Sequence, residues 1–293
     1  MKSILESRTF AIGTVVLAII VIWYGFAIVL NLPWQQSVYA RADLTDVPLF
    51  QWLADLYSQQ RPVLPAPHQV AVEFYTSVFQ ANPTTPRSLI FHAWITLSAT
   101  GLGFLFGTLL GILLAVSIVH NRAMDRSLMP WVIASQTIPI LAIAPMIVVV
   151  LNSVGLTGLI PKALISTYLS FFPVVVGMVK GFRSPEALHL DLLRTYHAST
   201  SQVFWKLRWP ASLPFLFASM KVGVAASLVG AIVGELPTGA AGGLGSRLLA
   251  GSYYGQTTQI WAALLMAATL SAGLIVAINA IQTLTSKAMG APA

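Results

Sequence analysis

The chain has 293 residues, 56% hydrophobic and only 9% charged, with a formal net charge of +7. Soluble domains carry about 25% charged residues, so this composition excludes a water-facing globular surface and makes a bilayer the expected solvent. The absence of cysteine excludes disulfides, thiol catalysis and Cys-ligated zinc, and basic residues set between apolar runs point to membrane orientation rather than to nucleic acid.

A helix needs about 20 apolar residues to cross hydrocarbon. Lys2 and Arg8 precede the first such run, residues 10–30, which is uncharged. With Val38-Tyr39-Ala40 it has the outline of a cleavable signal, but it is longer than the roughly 7–15 residues of a signal core, so a retained signal-anchor helix is expected. Residues 31–90 are studded with proline and form the one sizeable extramembrane stretch. Within it, residues 68–80 read as an amphipathic helix, with Val70/Phe74/Val78 and Ala71/Tyr75/Phe79 recurring at i, i+4, suited to the membrane surface. Further apolar runs follow at residues 93–119, 128–151, 163–179 (extended backward through 158–161), 215–234 and 260–284. In lipid every backbone amide must be satisfied within its own segment or a closed barrel, and these runs are too long and continuous for barrel strands. The expectation is an all-α integral membrane protein with six transmembrane helices. It divides into an N-terminal anchor and extramembrane segment (1–87), a core (88–285) and a tail (286–293).

Six spans put both termini on one side. With that side cytoplasmic, the inner stretches carry Lys2, Arg8, Arg122, Arg126, Lys180, Arg183, Arg194, Lys206, Arg208 and Lys287, and the outer ones Arg41, Arg61, Arg87, Lys162 and Arg247, ten against five. The excess of Lys and Arg marks the cytoplasmic side. The inverted topology is the runner-up, and Lys221 is expected to snorkel.

Two spans carry small residues at every fourth position: Ala99, Gly103, Gly107, Gly111 and Ala115 in the second, and Ser219, Gly223, Ser227 and Ala231 in the fifth. Such stripes let helices approach closely; they serve packing, or faces that slide. Pro139 and Pro145 remove backbone donors and loosen the third span. Irregular helix at membrane depth is tolerated where it meets protein or a cavity. That nominates Gln136, Thr137, Pro139 and Asn152 as pathway-lining residues, with Tyr168, Ser227 and Glu235 next; helix-to-helix hydrogen bonding is the alternative for each. Glu235 precedes Gly239, Gly242, Gly243 and Gly245, where it can anchor the Gly-rich loop through backbone N–H groups or contact cargo or a gate. The glycines lack the Gly-Lys-Ser/Thr ending of a phosphate loop.

Residues 180–214 form the longest inner loop. Ser184-Pro185-Glu186 reads as a helix start, with Ser as N-cap and Pro in the first position, for a helix running to about Tyr196. Ser199-x-x-Gln202 fits a capping box for a second helix ending near Trp209-Pro210, with a turn at residues 197–199. The result is a knob of two short helices without a nucleophile–base pair. The five histidines (68, 92, 120, 189, 197) are scattered, so neither a metal site nor a membrane enzyme is indicated.

Asp191-Leu192-Leu193, three residues, His197, nine residues and Leu207-Arg208-Trp209-Pro210 resemble the cytoplasmic Glu-Ala-Ala loop of bacterial ABC-importer permeases. His92 with Thr96-Leu97, Gln136-Thr137-Ile138-Pro139 with Ala144-Pro145, Phe172-Pro173, and Gly181 before Pro185 are similar to other motifs of that family, and the likeness covers about residues 88–285. The branch it resembles is the nitrate/sulfonate/taurine type, which includes importers of pyrimidine-like vitamin precursors and riboflavin; residues 230–237 are similar to heterocycle importers. Departures are Asp191 for Glu, Leu192 and Leu193 for Ala, and His197 for Gly.

The resemblance implies a permease in the bacterial inner membrane that hydrolyses no ATP itself. It implies docking of ATP-binding subunits on a coupling loop, residues 185–210, through Asp191, Arg194, His197, Ala198, Ser199, Gln202 and Pro210. Expected partners are two ATP-binding subunits, a second permease chain in a homodimer, a periplasmic substrate-binding protein and lipid, with no nucleic acid. No cofactor or metal is expected in this chain, ATP and Mg being held by the partner. The expected cargo is a small organic nutrient or anion, a heterocyclic vitamin precursor or a sulfonate- or nitrate-like solute. A secondary transporter is the competing class; it calls for midplane carboxylates and an internal repeat, neither of which is evident.

Overall fold

Long apolar runs without internal water can only close their hydrogen bonds as helices, and the computed structural model, which describes residues 8–44, 46–237 and 242–289, contains no strand among them. The helices are α1 (Arg8–Arg41), α2 (Leu49–Tyr57), α3 (Pro67–Tyr75, continued by a π turn Thr76–Gln80), α4 (Leu89–His120), α5 (Arg122–Ser135), α6 (Ile140–Ser153) and α7 (Leu159–Arg183). There follow α8 (Ala187–Thr195), α9 (Thr200–Val203, continued by a π turn Phe204–Arg208), α10 (Trp209–Glu235), α11 (Leu244–Tyr253) and α12 (Thr257–Ala288). Five helical segments are long and apolar enough to cross a membrane, or six if α5 and α6 together form one span. The expected third span is therefore not one helix: it bends by 97° between α5 and α6. Pro139, which has no N–H to continue the ladder, is the N-cap of α6. Val38-Tyr39-Ala40 lies in the last turns of α1, whereas Lys2 and Gly239 lie outside the described residues.

The chain forms two compact units, one from the described parts of Met1–Ile90 with Arg247–Met266 and the other from those of Phe91–Ser246 with Ala267–Ala293. In the first unit polar side chains close the backbone groups of the Pro-rich stretch. Buried Asn31 donates to the Leu64 carbonyl at 2.9 Å and accepts from the Val63 N–H at 2.8 Å. Gln69 accepts from the Ala66 N–H at 2.9 Å, which caps α3. Tyr39 donates to Asp55 at 2.7 Å, and Trp23 packs on Trp261 with ring centroids 4.6 Å apart. On α3 and its π turn Val70 and Ser77 are buried while Tyr75 and Phe79 are exposed. Only the first of the two expected apolar stripes thus packs inward. The helix α2 carries no breaker over its nine residues and stands in a stretch read as irregular.

In the second unit α4, α7 and α10 pack directly against one another. The every-fourth-residue glycines of α4 meet α7 in register: Gly103 faces Ser166, Gly107 faces Ser170 and Gly111 faces Val174. A Cβ on Gly107 would stand 3.1 Å from Ser170 Cβ and from the Thr167 carbonyl. Toward α10, Gly177 meets Ser219 and Gly181 meets Ser212, with hypothetical Cβ contacts of 2.6 and 2.8 Å, and Gly230 of α10 lies against Ser166. The small-residue stripes therefore pack helix against helix. Close approach also lets hydroxyls bond backbone across helices: Ser166 donates to the Ser227 carbonyl at 2.8 Å and Ser227 to the Thr100 carbonyl at 2.9 Å. An apolar core of Ile118, Val132, Val174, Met178, Phe182, Phe204 and Leu216 closes one end of this unit.

Candidate functional site

At that end the chain leaves α7 and turns back into α10 through a knob. Ser184 caps the C-terminus of α7 rather than opening α8; its hydroxyl donates to the Gly181 carbonyl at 2.8 Å, and Glu186 is the N-cap of α8. Pro185 has no N–H to continue the α7 ladder to the Gly181 carbonyl, which takes the Ser184 N–H at 3.2 Å and the Ser184 hydroxyl instead. The Ser199–Gln202 capping box forms as spaced: Gln202 N–H donates to Ser199 Oγ at 3.3 Å, and Ser199 N–H to Gln202 Oε1 at 2.8 Å. The second knob helix does not stop at Trp209-Pro210. It runs through the π turn into α10, with Pro210 just after the π turn.

The turn between the knob helices rests on His197, whose φ is +54°. Left-handed backbone is uncommon for a residue with a Cβ, although His is among the types enriched there. The slot that takes glycine in the resembled loop thus keeps the glycine conformation with a histidine in it. Asp191 and Arg194 are exposed and pair along α8 at 2.8 Å; Ala198 is half-buried. No residue of α8 is buried, and Leu188, Leu192 and Tyr196 are 75%, 53% and 76% exposed. The root of the knob, in contrast, is fixed. Phe204 is buried against His120 and Phe182, with centroids 5.0 and 5.3 Å apart, and Arg183 pairs with Asp125 at 2.9 Å. An exposed apolar tip on an anchored base can carry a push or pull into α4, α7 and α10.

The opposite end of the same unit is held by Glu235. Its carboxylate is fully buried and accepts from Thr96 Oγ1 at 2.8 Å and from the Gly245 N–H at 2.8 Å. Thr96 Oγ1 accepts from the Leu244 N–H at 2.8 Å, and His92 Nδ1 from the Gly243 N–H at 3.0 Å. Three successive amides of the Gly-rich segment are thereby held by side chains of α4 and α10. Lys162, 1% exposed on α7, donates to the Gly242 carbonyl at 3.1 Å. Gly242 and Gly243 have φ of +77° and +118°, and a Cβ on Gly243 would collide with the Glu235 carboxylate. Sequence reasoning placed Glu235 here but missed Lys162 as a partner; it had noted His92 and Thr96 only as a motif.

The other nominated pathway residues are not gathered into one site. Gln136, Thr137 and Pro139 are exposed at the α5–α6 break, and Asn152 is exposed near the end of α6. Tyr168 reaches the break from α7, its hydroxyl donating to the Ser135 carbonyl. Ser227 is buried in the interhelical hydroxyl bonds, and Glu235 lies in the loop anchor. Among the described residues no group of three or more His, Cys, Asp or Glu could hold a metal ion.

Residues 107–290 match the family model of the binding-protein-dependent transport system inner membrane component. A probable ABC transporter permease protein of Haemophilus influenzae is 29% identical over 231 residues, 79% of this chain and 89% of its own. The formylaminopyrimidine transport permease ThiX of Halalkalibacterium halodurans is 33% identical over 160 residues, 54% of this chain and 62% of its own. In fold the chain is similar to a chain of the MetNI methionine ABC transporter in an inward-facing conformation, with a TM-score of 0.54 and 19% identity, covering 67% of this chain and 95% of that one. With the family match spanning more than half its length, the chain belongs to the inner-membrane components of binding-protein-dependent transport systems, as a polytopic ABC-importer permease of the nitrate- and sulfonate-related branch.

Proposed function

We propose that this permease forms the pathway of an ATP-driven importer and is moved by ATP-binding subunits that grip the knob at residues 191–210. The observation that carries the reading is the contrast within the knob, whose tip exposes Leu192 and Tyr196 while its root is locked by Phe204 and the Arg183–Asp125 pair. Nucleotide and loaded binding protein would favour different states of the bundle, and their differential binding sets the direction. Each chain offers one such knob, which favours two permease chains in a C2 homodimer with two ATP-binding subunits. ATP and Mg belong to those subunits, and a periplasmic binding protein delivers the cargo.

Six spans with both termini cytoplasmic is the topology we favour. His92, Thr96, Lys162, Glu235 and Gly245 share one end of the second unit, whereas His120, Asp125, Phe182, Arg183 and Phe204 share the other. Chain leaving α4 at one end re-enters α7 from the opposite end, which favours reading α5 and α6 together as one crossing despite their bend. The Lys and Arg excess favours a cytoplasmic knob end. For cargo, the names of the relatives, which include formylaminopyrimidine, riboflavin and nitrate permeases, favour a small organic nutrient or anion. An ion-driven secondary transporter is the competing reading; the charged groups buried in the second unit sit at a helix end and tie down a loop.

The test is copurification. With the ATP-binding subunit expressed beside the permease, wild type retains the subunit and Ala198→Glu, a charge set in the half-buried turn, releases it while the permease still folds. Retention by the variant would count against the docking assignment.

A further inference from the structure

Within the first unit lies a cavity of about 380 Å³. Glu73 and Ser77 of α3 and its π turn line it, with Arg87 just before α4, Arg247 of α11, and Gln256 and Gln259 flanking the start of α12. None of the coupling-loop or helix-break residues contributes. Two lining side chains hold buried polar atoms that lack a hydrogen-bond partner: Arg247 Nε, a donor, and Gln259 Oε1, an acceptor. Buried polar atoms are nearly always satisfied, so the pair marks a place completed from outside the chain. Ser77 Oγ donates to Glu73 Oε1 at 2.9 Å, and among the described residues neither arginine reaches Glu73 within ion-pair distance. Burial draws the Arg247 guanidinium below its ordinary pKa, with the Glu73 charge opposing; a second anion at the guanidinium would oppose it further.

The cavity thus brings donors (Arg247, Arg87) and acceptors (Glu73, Gln259) together, at a volume within the range of about 300–1,000 Å³ typical of small-molecule sites. A lone anion leaves Glu73 and Gln259 unmatched, a lone cation leaves both arginines unmatched, and an apolar solute satisfies neither orphan. We propose that this cavity binds a small solute carrying an oxyanion and N–H donors in one molecule, the oxyanion between Arg247 and Arg87 and the N–H groups toward Glu73 and Gln259. A guanidinium fork matches carboxylate and sulfonate alike. The inference stands on the cavity alone and survives or fails independently of the ATPase docking.

The experiment is calorimetric titration of the full chain in nanodiscs. The probes are glycine, β-alanine and taurine, and the half-ligand controls are acetate, methanesulfonate and methylamine. At least one zwitterion binds about tenfold tighter than either of its halves, equivalent to ~1.4 kcal/mol. Arg247→Gln and Gln259→Leu each weaken it about tenfold or more, with thermal unfolding reporting whether each variant is folded; if one is not, the other decides. Absence of zwitterion binding by wild type at millimolar concentration, half-ligands that bind equally well, or variants that bind unchanged would each overturn the proposal, leaving a cavity filled by water.

Discussion

Removing the Glu235 carboxylate should free the Gly-rich segment without dissolving the bundle. Glu235→Ala takes away the acceptor of the Gly245 N–H and the nearer acceptor of the Thr96 hydroxyl, both at 2.8 Å, leaving that hydroxyl the His92 carbonyl at 3.1 Å. Hydrogen bonds to a charged group contribute about 1.5–3 kcal/mol each, so the variant loses about 3–6 kcal/mol from the two together, concentrated at residues 242–245. Glu235→Gln keeps one oxygen for the Gly245 N–H and should cost about 1 kcal/mol, near the value of an ordinary hydrogen bond. The assay is hydrogen exchange on the permease in nanodiscs, read at the amides of Gly243, Leu244 and Gly245, with denaturant unfolding for the total. The Ala variant should speed exchange at Gly245 most and at Leu244 next, since Leu244 bonds the same Thr96 hydroxyl, while amides of α7 away from Lys162 hold. Unchanged exchange at Gly245 in the Ala variant would refute the reasoning, as would equal acceleration throughout the unit.

Gly107→Val places methyl groups against Ser170 and the Thr167 carbonyl; overpacking of that kind costs about 1–3 kcal/mol, measurable as a lower unfolding midpoint, whereas Gly13→Val, with open space around its Cβ position, should cost far less. His197→Gly relieves left-handed backbone at φ +54° and should stabilise the knob by about 1 kcal/mol, with His197→Val moving the opposite way; slower and faster exchange of the Ala198 amide, bonded to the Leu193 carbonyl at 3.0 Å, reports the two. Asp125→Asn breaks the pair with Arg183, whose side chains are 34% and 49% exposed, so its coupling energy in a double-mutant cycle should be about 0.2–1 kcal/mol and should shrink as salt is raised.

The spans, the stripes and the knob were legible because each has a local physical signature. Four-residue spacing of Gly103, Gly107 and Gly111 can serve only one helix face, and that face meets α7. The Ser199–Gln202 box is written in two residues and folds as written. What the sequence hid depends on partners far along the chain. Residues 128–151 are apolar enough to read as one span, and hydropathy carries no sign of the 97° bend that ends one helix before Pro139 and starts another after it. Ser184 could open one helix or close another; it stays helical and closes α7 because Pro185 has no N–H for the Gly181 carbonyl. Lys162 reads as one more outward cation; its donation to Gly242, 80 residues on, has no local trace. The cavity at Arg247 joins stretches more than 150 residues apart, Glu73 to Arg247, and no periodicity announces such a meeting.

Uptake by sealed proteoliposomes reads the central idea directly. With the permease, its ATP-binding subunit, enclosed ATP and a loaded binding protein outside, cargo should accumulate against its gradient, and omission of the ATP-binding subunit or of ATP should abolish accumulation. Uphill uptake by the permease alone, driven by an imposed ion gradient, would contradict it.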